Sequence, residues 1–297
     1  MMGDQAEKLR TEALHKGLKP PSCRRPAAAG CRVIAVASGK GGVGKTSLVL
    51  NLGLSLIHMG YRVVVIDADL GMANIDVMLN TMPAYSLADV VSGEKTLCDI
   101  MIRGPLDLKI VPGSSGLFDL ANIDHAKRQL LLDQLNGLEA EGDFILVDTA
   151  AGISRNVISF IGAADDFILV TTPEPTALTD AYGMLKVLSG RGLKKKSHVV
   201  VNSTQTFHQG QRTYSGLERV VRQYLPAMEV NYLGEVRYDQ AVSRAVHNFI
   251  PFVLSKPRSA ASVAVKRIAC RLAASGEPEK QDEGGITGFI SRLRKLS

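Results

Sequence analysis

A mostly parallel, doubly wound α/β sheet of about seven or eight strands is what this sequence predicts. Three observations carry that expectation. Short continuous apolar runs such as Val63-Val64-Val65-Ile66 recur along the chain, as for strands covered on both faces. Segments of helical periodicity lie between them, so strand and helix alternate from residue 32 onward. The first run, Val33 to Ala37, leads into Ser38-Gly39-Lys40-Gly41-Gly42-Val43-Gly44-Lys45-Thr46-Ser47 and then a helical pattern through Leu48, Leu52 and Leu56. Strand, glycine-rich loop and helix together make G-x-x-x-x-G-K-[ST] a phosphate-binding loop, the mark of a P-loop NTPase.

The N-terminus precedes this core. Asp4 and Glu7 have the spacing of a capping box, and Met2, Ala6, Leu9 and Ala13 share a stripe, so residues 1–16 read as a short helical element. Residues 17–31 are rich in Pro and Ala and read as a linker, which leaves that helix tethered. The core domain spans 32–274. Its strands are expected at 32–37, 62–67, 107–111, 143–148, 166–171, 198–202 and 230–236, with a further candidate at 250–254. Its helices are expected at 45–58, 125–138, 154–162, 176–188, 211–224, 239–247 and 258–274. Residues 275–285 are polar and read as a second tether.

The last segment, 286–297, has a different character. Ile286, Phe289, Ile290, Leu293 and Leu296 fall within an arc of about 120° of a helix, and Arg292, Arg294 and Lys295 lie outside it. A basic amphipathic helix on a tether reads as a reversible anchor to an anionic membrane surface. Its alternative home is a groove on the core or on a partner.

Composition narrows the possibilities. The chain has 297 residues, is 45% apolar and 22% charged, and carries a mild formal charge of +6. That suits one large domain with appendages and does not demand a nucleic-acid partner. No apolar run approaches the roughly 20 residues that span a bilayer, and the charged N-terminus is not a signal peptide. The expected location is cytoplasmic, with peripheral association at the inner face of the plasma membrane. Cys23, Cys31, Cys98 and Cys270 are too dispersed for a disulfide framework, zinc site or iron–sulfur cluster.

The chemistry-bearing positions follow from strand ends. In the loop, backbone N–H groups of Gly39, Lys40, Gly41, Gly42, Val43 and Gly44 converge on phosphate oxygens. Lys45 neutralises the outer phosphates, Thr46 completes the motif and ligates Mg2+, and Ser47 beside it is a further nucleotide-binding candidate. Asp67 and Asp69 follow the second strand, at the sheet edge where α/β folds bind ligands. Asp148 closes Phe144-Ile145-Leu146-Val147 in the Walker-B manner and is a second Mg2+ ligand. The N-K-x-D guanine signature is absent, which favours ATP over GTP.

Lys40 is a second lysine in the loop. Lys40-Gly41-Gly42-Val43-Gly44-Lys45-Thr46 resembles the deviant phosphate loop of the MinD/ParA family of dimerising ATPases, and the likeness extends over about residues 32–274. The resemblance implies that Lys40 reaches a partner subunit's nucleotide and that Asp69 orients the attacking water, with Asp67 nearer the metal. It implies that Glu174 lies at the dimer interface. It also implies that Asn202 and Arg237 border the adenine. The start of the chain, Asp4-Gln5-Ala6-Glu7-Lys8-Leu9-Arg10, resembles the D-Q-A-x-x-L-R element of the flagellar-regulator branch, FlhG (FleN/YlxH). In that branch Asp4, Gln5, Ala6, Leu9 and Arg10 are implied to stimulate an FlhF-type GTPase. The expected function is thus an ATP-dependent, membrane-associating homodimer that regulates flagellar placement and number, in contact with basal-body components. MinD-type division-site placement and ParA-type DNA segregation are the alternatives.

Overall fold

The computed structural model describes residues 30–69, 75–113, 125–193, 196–275 and 284–296. The N-terminal element, with Asp4, Gln5, Ala6, Leu9 and Arg10, lies outside the described residues, as does the stretch 70–74 after Asp69. In chain order the first half runs β1 (Arg32–Ser38), α1 (Lys45–His58), β2 (Val63–Ala68), α2 (Ile75–Leu79), α3 (Leu87–Val91), α4 (Leu97–Ile100), β3 (Ile102–Arg103) and β4 (Lys109–Val111). It continues with α5 (His125–Asn136), α6 (Leu138–Glu141), β5 (Phe144–Ala151), α7 (Arg155–Ala163), β6 (Asp166–Thr171), α8 (Pro175–Gly190) and β7 (Lys196–Thr204). The remainder is α9 (Gln209–Tyr224), β8 (Glu229–Arg237), α10 (Gln240–His247), α11 (Phe252–Ser255), α12 (Ala260–Ala274) and α13 (Gly285–Leu296).

The strands form one eight-stranded sheet in the order β3-β4-β2-β5-β1-β6-β7-β8, parallel throughout except where β3 pairs antiparallel with β4. β1 lies in the middle, hydrogen-bonded to β5 on one side and β6 on the other. Its residues Val33 to Ala37 are entirely buried, which explains why this strand reads as an unbroken apolar run. Apolar side chains on alternate β1 positions enter separate cores on the two faces of the sheet.

The register of the chain start is fixed by charge. The Arg32 guanidinium donates from Nε to Asp166 Oδ2 at 2.5 Å and from Nη1 to the Leu272 carbonyl at 2.9 Å. That ties β1, β6 and the end of α12 together. On α1, the Asn51 carboxamide accepts from the Val253 amide at 3.0 Å, which anchors α11 to the helix behind the phosphate loop.

Two sequence expectations are corrected. The run 250–254 is not a strand: Pro251 caps the short buried helix α11. A short apolar run is compatible with either state, and Pro251 has no N–H to give to a sheet ladder. The eighth strand is instead the brief β3.

The second correction concerns α13. Its apolar face is not left without a home. Ile286, Phe289, Ile290 and Leu293 are buried against the core, and the Phe289 ring stacks parallel on Phe160 of α7 at 6.2 Å between centroids. Arg292 turns inward as well, donating to the Ala163 carbonyl and to Asp165 Oδ1, both at 2.7 Å. The other carboxylate oxygen of Asp165 accepts from the amides of Val33 at 2.9 Å and Gly285 at 3.2 Å. Arg294 and Lys295 remain exposed, and Leu296 is half-buried, its carbonyl accepting from the Ser159 hydroxyl at 3.3 Å. Close approach to α7 depends on Gly162, where a Cβ would lie 2.7 Å from Leu296 Cδ1.

Candidate nucleotide site

The site lies at the C-terminal ends of β1, β2 and β5. β1 delivers the chain to the loop, and Gly44 closes it with φ of 85°, a left-handed conformation at the N-cap of α1. A side chain there would also strike the Asn202 amide, 2.4 Å from an added Cβ. Gly39 has a different reason. Its Cβ would sit 2.4 Å from the Asp180 backbone, so the loop can lie against α8 only with glycine at this position. The result is a backbone cradle at a helix N-terminus, the geometry that receives phosphate.

Inside the cradle, Lys45 is almost wholly buried and its Nζ donates to Asp148 Oδ1 at 2.5 Å. The Thr46 side chain lies beside the same carboxylate. The structure therefore brings together the lysine and both residues expected to hold Mg2+. Burial pushes the Asp148 carboxyl upward, while the Lys45 ammonium and Thr46 hydroxyl pull the other way, and Asp69 lies near enough to oppose its charge. The second carboxylate oxygen of Asp148 and the Ser47 hydroxyl are buried without a hydrogen-bond partner among the described residues. Buried polar atoms of this kind are costly unless a ligand satisfies them.

No group of three or more His, Cys, Asp or Glu suited to a metal ion occurs among the described residues. Mg2+ takes one or two protein ligands and completes its shell with phosphate and water. Thr46 and Asp148 fit such an ion. Its role would be to neutralise charge on the outer phosphates.

Asp67 and Asp148 are register partners across β2 and β5. Asp67 is buried and staples the loop after β2: Oδ1 accepts from the Asp69 amide at 3.1 Å and Oδ2 from the Ile75 amide at 3.3 Å. Its observed work is to hold the loop that presents Asp69. Gly152, after β5, has φ of 91° and donates its amide to the Ser38 carbonyl at 2.9 Å, tying the loop beyond Asp148 to the end of β1.

Lys40 points elsewhere. Its Nζ donates to Glu174 Oε2 at 2.9 Å and to Thr176 Oγ1 at 3.0 Å, on the exposed rim. The two lysines of the loop thus occupy distinct environments, one interior and one at the surface. Glu174, expected at an interface, is the partner of Lys40 within the same chain.

The two expected adenine residues lie on neighbouring strand ends, where Asn202 pairs with Val236 and Thr204 with Arg237 across β7 and β8. Asn202 lies beside the loop, donating from Nδ2 to the Val43 carbonyl at 2.7 Å. Arg237, at the end of β8, lines an outer groove with Phe207 and Arg267. The sequence reading missed Asp165 and Arg32, which brace the core. A charged residue at the start of a buried strand and an Asp-Asp pair before another were the available signals.

A sheet with its phosphate loop after the central strand and a buried acidic residue in the neighbouring strand defines a P-loop nucleotide-binding protein. The chain belongs to the CobQ/CobB/MinD/ParA nucleotide-binding domain family, whose pattern matches residues 34–252. Members of the MinD/ParA group are P-loop ATPases. The chain is similar to the antiactivator FleN of Pseudomonas aeruginosa, 36% identical over 88% of this chain and 93% of that protein. It is also similar to the flagellum site-determining protein YlxH of Helicobacter pylori, 33% identical over 89% and 90% of the two chains. Among solved structures, MinD in the MinC:MinD complex of Aquifex aeolicus superposes with a TM-score of 0.67 at 26% identity, covering 84% of this chain and 99% of that one. MinD of Pyrococcus horikoshii, solved with Mg-ADP, gives 0.62 at 27% identity, covering 80% and 94%.

Proposed function

We propose that this chain is an ATP-driven dimerisation switch that regulates flagellar placement and number. The single observation that carries the switch is the division of labour between the loop lysines. Lys45 is buried on Asp148, whereas the Lys40 side chain is 40% exposed and its partner Glu174 65% exposed. An exposed ion pair contributes about 0–1 kcal/mol, so Lys40 can leave Glu174 for a second subunit's phosphates at little cost. The flagellar output is supported by the likeness to FleN and YlxH over most of each chain.

In this reading ATP is held by the loop amides, Lys45 and Thr46, while Asp69 positions the attacking water and slow hydrolysis dissolves the dimer. Asp4 to Arg10 act on an FlhF-type GTPase, and a peptide of residues 1–20 should accelerate that GTPase by itself. No acceleration would turn the reading toward MinD, to which the chain is 31% identical in Nephroselmis olivacea. The test of the switch is Lys40→Ala. Nucleotide affinity should be retained and the ATP-dependent dimer lost by light scattering; a dimer of undiminished strength would refute the assignment.

Membrane association belongs to the same reading and requires α13 to leave its groove. The transfer is nearly balanced, because the apolar face is buried in either place. Release gives up the hydrogen bonds of Asp165 to Arg292 and Gly285, roughly 1.5–3 kcal/mol each for a charged partner. Docking of Arg292, Arg294 and Lys295 on an anionic leaflet returns about 1 kcal/mol apiece, and two helices in a dimer add avidity. Gly162→Leu should tip this balance, since its overpacking against Leu296 costs about 1–3 kcal/mol. Binding to anionic vesicles should rise roughly tenfold. In a chain with Cys23, Cys98 and Cys270 replaced by Ser, Cys31 reports the release. It is buried beneath the start of α13, and burial pushes its thiol up to about 12, so it should become reactive. A reactive Cys31 with unchanged vesicle binding would sink the anchor assignment.

A further inference from the structure

β8 closes one side of the sheet and pairs with β7 alone. Sheet edges attract a further strand unless something guards them. Here α9 and α12 flank the edge without closing over it, leaving a groove of about 540 Å³. That volume lies in the range of built ligand sites.

One side of the groove is apolar, with Val263, Ala264 and Ile268 of α12 facing Phe207, whose ring is 68% exposed. Three guanidinium groups also line it, those of Arg237, Arg267 and Arg271. The Arg271 guanidinium already donates to the Leu233 carbonyl at 3.0 Å, so a donor from outside the sheet reaches the outer edge of β8. Arg237 and Arg267 form no ion pair among the described residues. The acid lining the groove, Glu235, is engaged by the Tyr232 hydroxyl at 3.3 Å. Charge on a larger scale agrees. Between Gln209 and Ser275 there are ten Lys and Arg against four Asp and Glu, an excess equal to the whole chain's formal +6.

We infer that this groove docks an extended peptide in which acidic and apolar residues alternate. An extended chain sends successive side chains to opposite faces, so alternation offers apolar groups to the α12 wall and carboxylates to the arginines. Guanidinium groups suit that role because they hold carboxylates through two parallel hydrogen bonds. A nucleic-acid backbone would satisfy the cations but has no side chain to fill the slot beside Phe207 and Val263.

The probe is a short fluorescein-labelled peptide of alternating Glu and Leu, titrated by anisotropy into the full-length protein. Binding should be saturable, weaken as salt rises, and fall about tenfold or more with Arg267→Glu. Val263→Asp should weaken it similarly through the apolar wall. Both positions are exposed, and an unchanged affinity for a fluorescent ATP analogue will show that each variant is folded. Several results overturn the inference: no saturable binding, equal binding of a Gln–Leu peptide, indifference to Arg267→Glu, or displacement by oligothymidine as effective as by unlabelled peptide. The last would mark a nucleic-acid surface instead.

Discussion

Asp69→Ala is expected to slow ATP turnover by roughly two to three orders of magnitude while nucleotide affinity is retained. Asp69 stands at the end of β2, half-buried, its amide fixed by Asp67 Oδ1 at 3.1 Å. The Lys45–Asp148 ion pair is made without it, and Thr46 lies beside Asp148. Removing its carboxylate therefore leaves the phosphate cradle and both metal-holding groups intact. Removal also relieves a like charge near Asp148, which favours binding if it acts at all. In the proposed function Asp69 is the group that aligns water, and alignment is most of the catalysis in phosphoryl transfer. The variant should accumulate as an ATP-bound dimer by light scattering while phosphate release nearly stops. A variant that remains monomeric with ATP, or one that turns over normally, would show that Asp69 does not hold the water.

The second large effect concerns stability. Asp166→Ala should destabilise the domain by about 3–5 kcal/mol, because it leaves the buried Arg32 guanidinium without its counter-ion. The Asp166 carboxylate faces Arg32 Nε at 2.5 Å and His198 Nε2 at 3.5 Å. Burial raises its pKa, but hydrogen bonds and charge from His198 and Arg32 outweigh that and hold it down to about 2. A folded value below the unfolded one, about 3.9, means that the carboxylate stabilises the protein above that pH. The contribution, about 2–3 kcal/mol, is lost as pH falls from about 4 toward 2. Urea denaturation at neutral pH and through that acid window should show a steep loss for the parent chain and a shallower one for Asp166→Asn. Parallel curves would mean that other carboxylates drive the acid transition.

The parts of the molecule that repeat a local rule were legible before the structure. α1 spans Lys45–His58, as its apolar pattern and the preceding glycines indicated. The buried strands announced themselves through uninterrupted apolar runs, and the phosphate loop with Asp148 could be placed because each follows such a run. Features that depend on distant pairings were not legible. Nothing near Lys40 points to Glu174, 134 residues away, and nothing near Arg292 points to Asp165. The amphipathic pattern of α13 was read correctly as a helix, but a pattern gives only the presence of an apolar face. Whether lipid or protein covers that face depends on the groove beside α7, where Phe160, the Ala163 carbonyl and the space above Gly162 receive the helix. The short helices α2, α3 and α4 escaped because four or five residues hold too little periodicity to register.

Helix α7 also fixes the mechanics of the molecule. Its N-cap, Ser154, comes two residues after Gly152, whose amide is bonded to the last residue of β1 beside the phosphate loop. Its far end supplies the Phe160 ring, the Gly162 gap and the Ala163 carbonyl that grip the terminal helix. Nine residues make a rod about 13 Å long, stiff enough to move as one piece. A shift at the phosphate end would therefore arrive at the other end as a slide of the whole bearing surface under α13. One helix, with the turn that leads into it, touches both the phosphate-loop end of β1 and the terminal helix.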